Sequence, residues 1–88
     1  MDALQKFRSQ IDALDNQILT LLHKRMQVVE HIGEFKKTQG LPYRDAARWE
    51  EIIASKSSQA EFLWLDKQFI IDVWNRIHEE ALRQEQKI

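Results

Sequence analysis

The chain has 88 residues, the length of one domain, and its 13 Lys and Arg against 14 Asp and Glu leave a formal net charge of −1. That balance excludes a broadly basic nucleic-acid binder, and the absence of cysteine excludes a disulfide framework, a thiolate metal site and a thiol nucleophile. With 43% hydrophobic and 31% charged residues the composition is globular. No apolar run approaches the roughly 20 residues of a membrane span. The opening MDALQKFRSQID is amphipathic and charged, unlike a signal peptide, so no membrane association and a cytoplasmic location are expected.

Both glycines and the single proline fall between positions 33 and 42, so the fold class expected over residues 1–88 is all-α, with three helices and few breaks. Leu4, Phe7, Ile11, Leu14, Ile18, Leu21, Val28, Ile32 and Phe35 recur at spacings of three and four, predicting one very long helix from about Asp2 to Lys37. Leu22 and Val29 widen this stripe on one side. Gly33 lies inside the pattern and weakens the helix beyond it by about 1 kcal/mol relative to Ala. Gly40 suits a left-handed cap, and Pro42 stops continuation. A second helix is expected over about 44–57, with Trp49, Ile52 and Ile53 on its apolar face. A linker from Gln59 to Leu65 carries Phe62, Leu63, Trp64 and Leu65, expected to plug the core. Asp66 is an N-cap for a third helix over about 66–85, whose apolar face is Phe69, Ile70, Val73, Trp74, Ile77, Ala81 and Leu82.

A first helix of about 36 residues is a rod of ~54 Å. A compact globule of this length has a radius of gyration of ~12 Å. The rod outgrows its own globule, and its apolar stripe needs cover from outside. An antiparallel, intertwined homodimer crossing near the helix midpoint supplies that cover. The alternatives are a kink at Gly33 or an extended partner-binding helix in a monomer.

Arg25 stands in the apolar row itself, where a charge must be paired or must face a polar cavity. One reading is a structural ion pair with Asp15 or Glu30; the other is a ligand site. Arg8 and Lys36 follow Phe7 and Phe35 and lie on the flank of the stripe. They sit ~42 Å apart along one helix and cannot share a site within one chain. In the antiparallel dimer, Arg8 of one copy falls between Arg25 and Lys36 of the other. Arg48 adds a fourth cation. Such a cage suits a small dicarboxylate.

Taken in order, these segments resemble the all-helical, AroQ-type chorismate mutases over nearly the whole chain. LQKFRSQIDALDNQILTLLHKRMQVVEHIGEFKK is similar to the family's first helix, LPYRDAAR to the start of its second, and IHEEALRQEQ to the end of its third. The resemblance implies an intertwined homodimer with two shared sites that rearranges chorismate to prephenate, on the way to phenylalanine and tyrosine. It implies no cofactor and no metal. By the match, Arg8 of the second copy and Arg25 hold the two carboxylates, and Lys36 bonds the ether oxygen and a carboxylate. Asp45, through its backbone, and Arg48 border the site at the second helix. The Arg48-Trp49 pair and the HEEALRQ ending are also similar to mutase domains joined to an aldolase-type enzyme, DAHP synthase. A fused or associated partner of that kind is therefore expected.

Three positions depart from the family pattern. Trp49 replaces a Glu that binds the ring hydroxyl, and its place beside Ile52 and Ile53 suits core packing. Ala81 replaces a Ser, which removes one hydrogen bond. Glu85 replaces a Gln and can donate to an ether oxygen only when protonated. The alternatives at that place are an inward Gln84 or a Glu85–Lys36 pair. Two other functions stay open: removal of pyruvate from isochorismate on the same scaffold, and a non-catalytic dimerisation or regulatory module. His23 and His31 read as surface residues, and no histidine has ligand spacing.

Overall fold

The computed structural model describes residues 2–87. Three helices account for almost all of them, and among the described residues there is no strand. Helix α1 spans Ala3–Gln39, α2 spans Ala46–Phe62 and α3 spans Lys67–Gln86. Each starts on an aspartate that accepts a backbone N–H three residues on: Asp2 from Gln5 at 2.8 Å, Asp45 from Arg48 at 3.0 Å and Asp66 from Phe69 at 2.8 Å. Helix α1 runs unbroken through Gly33, which is buried. It ends at Gly40, whose φ of 69° is left-handed, and the Leu41 N–H returns to the Lys36 carbonyl at 2.8 Å. Lys36 and Lys37 in the last turn oppose the negative end of the helix dipole.

Helix α2 differs most from its expected bounds. It begins two residues later, because Asp45 is its cap, and it runs five residues further. The serines at 55, 57 and 58 do not end it: Gln59 Nε2 donates to Ser55 Oγ at 2.9 Å on the exposed side, so the hydroxyl does not compete for the backbone. The α2–α3 turn therefore falls later, and the expected core plug is corrected. Phe62 is 84% exposed and Trp64 97%, with Leu63 and Leu65 also exposed. Ala60 and Ile70, both buried, close that corner in their place. Trp64 also has φ of 60°, a left-handed conformation that a bulky side chain adopts at a cost.

Helix α3 packs against both other helices, whereas α1 and α2 do not pack on each other. Lys56 of α2 sits 5.3 Å over the Trp74 ring of α3, part of that second interface. The chain measures 57 × 26 × 15 Å with a radius of gyration of 16.5 Å, well above the ~12 Å of a compact globule. The excess is the free length of α1.

The apolar stripe of α1 splits into two rows. One row, Leu22, Met26, Val29, Gly33 and Lys36, is buried or half-buried. The row one residue earlier, from Leu4 through Phe35, leaves its apolar side chains bare, with exposures from 42% at Ile32 to 63% at Leu21, and Arg25 within it is half-buried. Phe69 of α3 is exposed as well, so the first residue of that helix's expected apolar face does not join the core. None of the described helices is long and apolar enough to cross a membrane.

Candidate active site

A cavity of about 470 Å³ lies where α3 crosses the C-terminal half of α1 under the start of α2. Helical register decides what lines it. Positions 25, 28, 29, 32 and 36 share one face of α1 and contribute Arg25, Val28, Val29, Ile32 and Lys36. Positions 78, 81, 82 and 85 share one face of α3 and contribute His78, Ala81, Leu82 and Glu85. The connection and first turns of α2 close the space with Tyr43, Asp45, Arg48, Trp49 and Ile52. The Asp45 carboxylate is committed to capping α2, which holds Arg48 and Trp49 at the rim.

Arg25 is half-buried, and its Nη1 atom is fully buried with no hydrogen-bond partner. Among the described residues no carboxylate pairs with it, and Asp15 and Glu30 are exposed, so the structural ion pair is not formed. Burial, and next the charge of Arg48, hold its guanidinium below the ordinary value. A guanidinium nevertheless keeps its proton, so a positive charge is presented to the cavity without an answering anion.

Lys36 is differently placed. Its ammonium donates to the Tyr43 carbonyl at 2.7 Å and pairs with Glu85 Oε1 at 2.8 Å. Glu85 is only 5% exposed, so this is a buried ion pair, and it is the Lys36 alternative that the sequence left open at position 85. Arg48 pairs with Glu51 at 3.2 Å, with both side chains largely in water.

Trp49 is not simply core. It is half-buried, lines the cavity and stacks on His78 with ring centroids 4.0 Å apart and planes 15° apart. Burial, and then the nearby Arg44 charge, push His78 below its ordinary value, so the imidazole is neutral near pH 7. His23 and His31 are exposed.

The structure thus brings Arg25, Lys36, Asp45, Arg48, Trp49, Ala81 and Glu85 around one space. It does not bring Arg8, which is exposed on the free half of α1, roughly 25 Å along the helix from Arg25. Sequence reading missed His78 and Tyr43. For His78 the signal was present: it stands three and seven residues before Ala81 and Glu85, on their face of α3. Tyr43 lies in an irregular connection and carries no periodic signal.

A family model described as chorismate mutase type II matches residues 7–86. The chain is 37% identical over 82 residues to a T-protein of Enterobacter agglomerans, covering 93% of this chain and 22% of that protein. It is 32% identical over 85 residues to a T-protein of Haemophilus influenzae, covering 97% of this chain and 22% of that one. A 4-amino-4-deoxychorismate mutase of Streptomyces venezuelae is 27% identical over 82 residues, covering 93% of this chain and 80% of that protein. The chain therefore spans about a fifth of the two T-proteins.

Proposed function

This chain belongs to the chorismate mutase type II family, and on that premise we propose that it rearranges chorismate to prephenate. The observation that carries the proposal is Arg25, a guanidinium with a buried, unpartnered nitrogen in a cavity also lined by Lys36 and Arg48. A carboxylate of a small dianion answers the unpaired Arg25, with Lys36 and Arg48 on the same cavity wall. The reaction is an intramolecular bond exchange that requires no acid, base or nucleophile. Holding the flexible dianion in its reactive shape supplies orientation. A cation beside the ether oxygen stabilises the negative charge that grows there as the C–O bond lengthens. Arg25 takes one carboxylate, and Lys36 the ether oxygen and a carboxylate. Glu85 holds Lys36 when ionised and donates to the ether oxygen when protonated. Arg48, Ala81 and the backbone of Asp45 border the ring.

The proposal includes an antiparallel homodimer in which Arg8 of the second copy completes the cage. Its support is the bare apolar row of α1 and the position of Arg8 beyond reach within one chain. It also includes a cytoplasmic location and a fused or associated DAHP synthase, the latter supported by the Arg48-Trp49 pair and the HEEALRQ ending.

The test is loss of chorismate absorbance with the product identified. Prephenate supports the reading. Release of pyruvate from isochorismate replaces it with the lyase, and no turnover of either compound replaces it with a binding module. Glu85→Gln sharpens the mechanism, because an amide donates to the ether oxygen at every pH: its pH profile of kcat/KM should differ from the parent's. Identical profiles remove Glu85 from the chemistry.

A further inference from the structure

The Trp49–His78 stack is a part of the cavity wall that the mechanism above leaves unused. It is a built feature: two rings from different helices, 4.0 Å apart and nearly parallel, each half-buried. In a face-to-face stack one face of each ring is covered, and the edge of the imidazole stays available. A neutral imidazole carries one donor and one acceptor on that edge. The other side chains that give the cavity its polarity are charged or committed. Arg25, Lys36 and Arg48 are cations, Glu85 pairs with Lys36, and Asp45 caps α2. Only the Tyr43 phenol shares the ability of His78 to give and accept without a charge.

We propose that His78, held flat by Trp49, is a specificity-determining residue that hydrogen-bonds the neutral hydroxyl on the substrate ring and selects it over an ammonium at the same carbon. This rests on the functional reading above. Chorismate offers two carboxylates and an ether oxygen, which the cations take, and one further polar group, its ring hydroxyl. A hydroxyl both donates and accepts, as the imidazole edge does. An ammonium only donates and brings a positive charge.

The surroundings of His78 oppose that charge. Burial and the Arg44 and Arg25 guanidinium groups act against a proton on the ring, while Glu85 and Glu79 on its own helix act for it. The balance keeps the imidazole neutral, and the same field and desolvation act against an ammonium on its edge. The name of the 4-amino-4-deoxychorismate mutase relative supplies the comparison compound, in which an amine stands in place of the hydroxyl.

The experiment measures kcat/KM for chorismate and for 4-amino-4-deoxychorismate with the parent, His78→Phe and His78→Asp, alongside melting temperatures. The parent should prefer chorismate. His78→Phe keeps a ring on Trp49 and loses both nitrogens, so its kcat/KM for chorismate should fall about 10-fold with the fold intact. His78→Asp places an anion on that edge, and the preference should move toward the amine by about 10-fold or more. Unchanged constants in His78→Phe, or equal losses on both compounds in His78→Asp, overturn the inference while leaving the mutase reading intact. A parent that turns over neither compound overturns the mutase reading itself.

Discussion

Two neighbouring rows of α1 meet opposite fates. Val28 and Val29 are adjacent in sequence, yet Val29 is 7% exposed against α3 and Val28 is 57% exposed. The row of Val29 is covered only from Leu22 onward, where α3 lies; the apolar members of the row of Val28 are bare from Leu4 to Phe35. Both rows are apolar at helical spacing, so apolarity does not decide which one the chain covers for itself. Bare Leu, Ile, Phe and Val side chains that keep about half their surface in water forgo on the order of 10 kcal/mol of burial per chain. One row packs α1 onto α3; the other lends Arg25, Val28 and Ile32 to the cavity and otherwise stands bare, the row that the proposed second copy would cover.

The largest expected effect separates the rows outright. Leu14→Asp puts a charge in the middle of the bare row, which a dimer seam cannot bury without a penalty of several kcal/mol. Sedimentation should find the parent near twice 10.5 kDa and the variant near 10.5 kDa, with mutase activity lost. A variant that keeps the parent's mass would show that this row is not the interface.

Next come the cations on either side of that seam. Arg25→Ala should lower kcat/KM by about 100-fold or more. Its melting temperature should hold or rise, because the side chain removed is a desolvated charge without a partner. Arg8→Ala should give a similar loss. Equal mixing of the two variants should restore about a quarter of the parent's sites, since half the dimers are mixed and each carries one intact site. No recovery on mixing would place Arg8 outside a shared site.

A smaller effect compares the two valines. Val29→Ala should cost about 2 kcal/mol of stability at every protein concentration. Val28→Ala should cost about 1 kcal/mol where copies are associated, and the deficit should vanish on dilution, because Val28 is exposed in the single copy. Matching responses would erase the distinction between the rows.

The smallest is a pH effect inside the cavity. His78 titrates below its ordinary value of 6.5 in the folded chain, so as pH falls the unfolded chain takes the proton first. Its contribution to stability is complete above about pH 6.5 and declines as pH drops through the folded value. Chemical denaturation between about pH 7 and pH 5 should show this slope reduced in His78→Phe; parallel slopes would mean that His78 is not coupled to folding.

The turn at Phe62–Leu65 shows where sequence reasoning fails. Four apolar residues in a row read as core, yet α2 continues to Phe62 and carries them past the α2–α3 interface. Hydrophobicity states what is favoured for a side chain, and the position of a helix end states what is reachable. Position 85 shows the converse. A carboxylate at i+4 from Ala81 was legible as a cavity residue, but its partner was one of several until α1 and α3 were set side by side and Lys36 stood 2.8 Å away.

What the sequence determined alone was local: three helices, the aspartate cap at Asp66, the left-handed stop at Gly40, an overlong apolar rod, and a cation in its seam. Those follow from backbone hydrogen bonding and 3.6-residue periodicity, which act within a few turns. What only the tertiary structure decided was which row of α1 is covered by α3, that Trp49 meets His78, and that Arg25 remains unanswered while Lys36 is paired. Those contacts join residues tens of positions apart, and the turn between α2 and α3 sets the line along which α3 returns to α1.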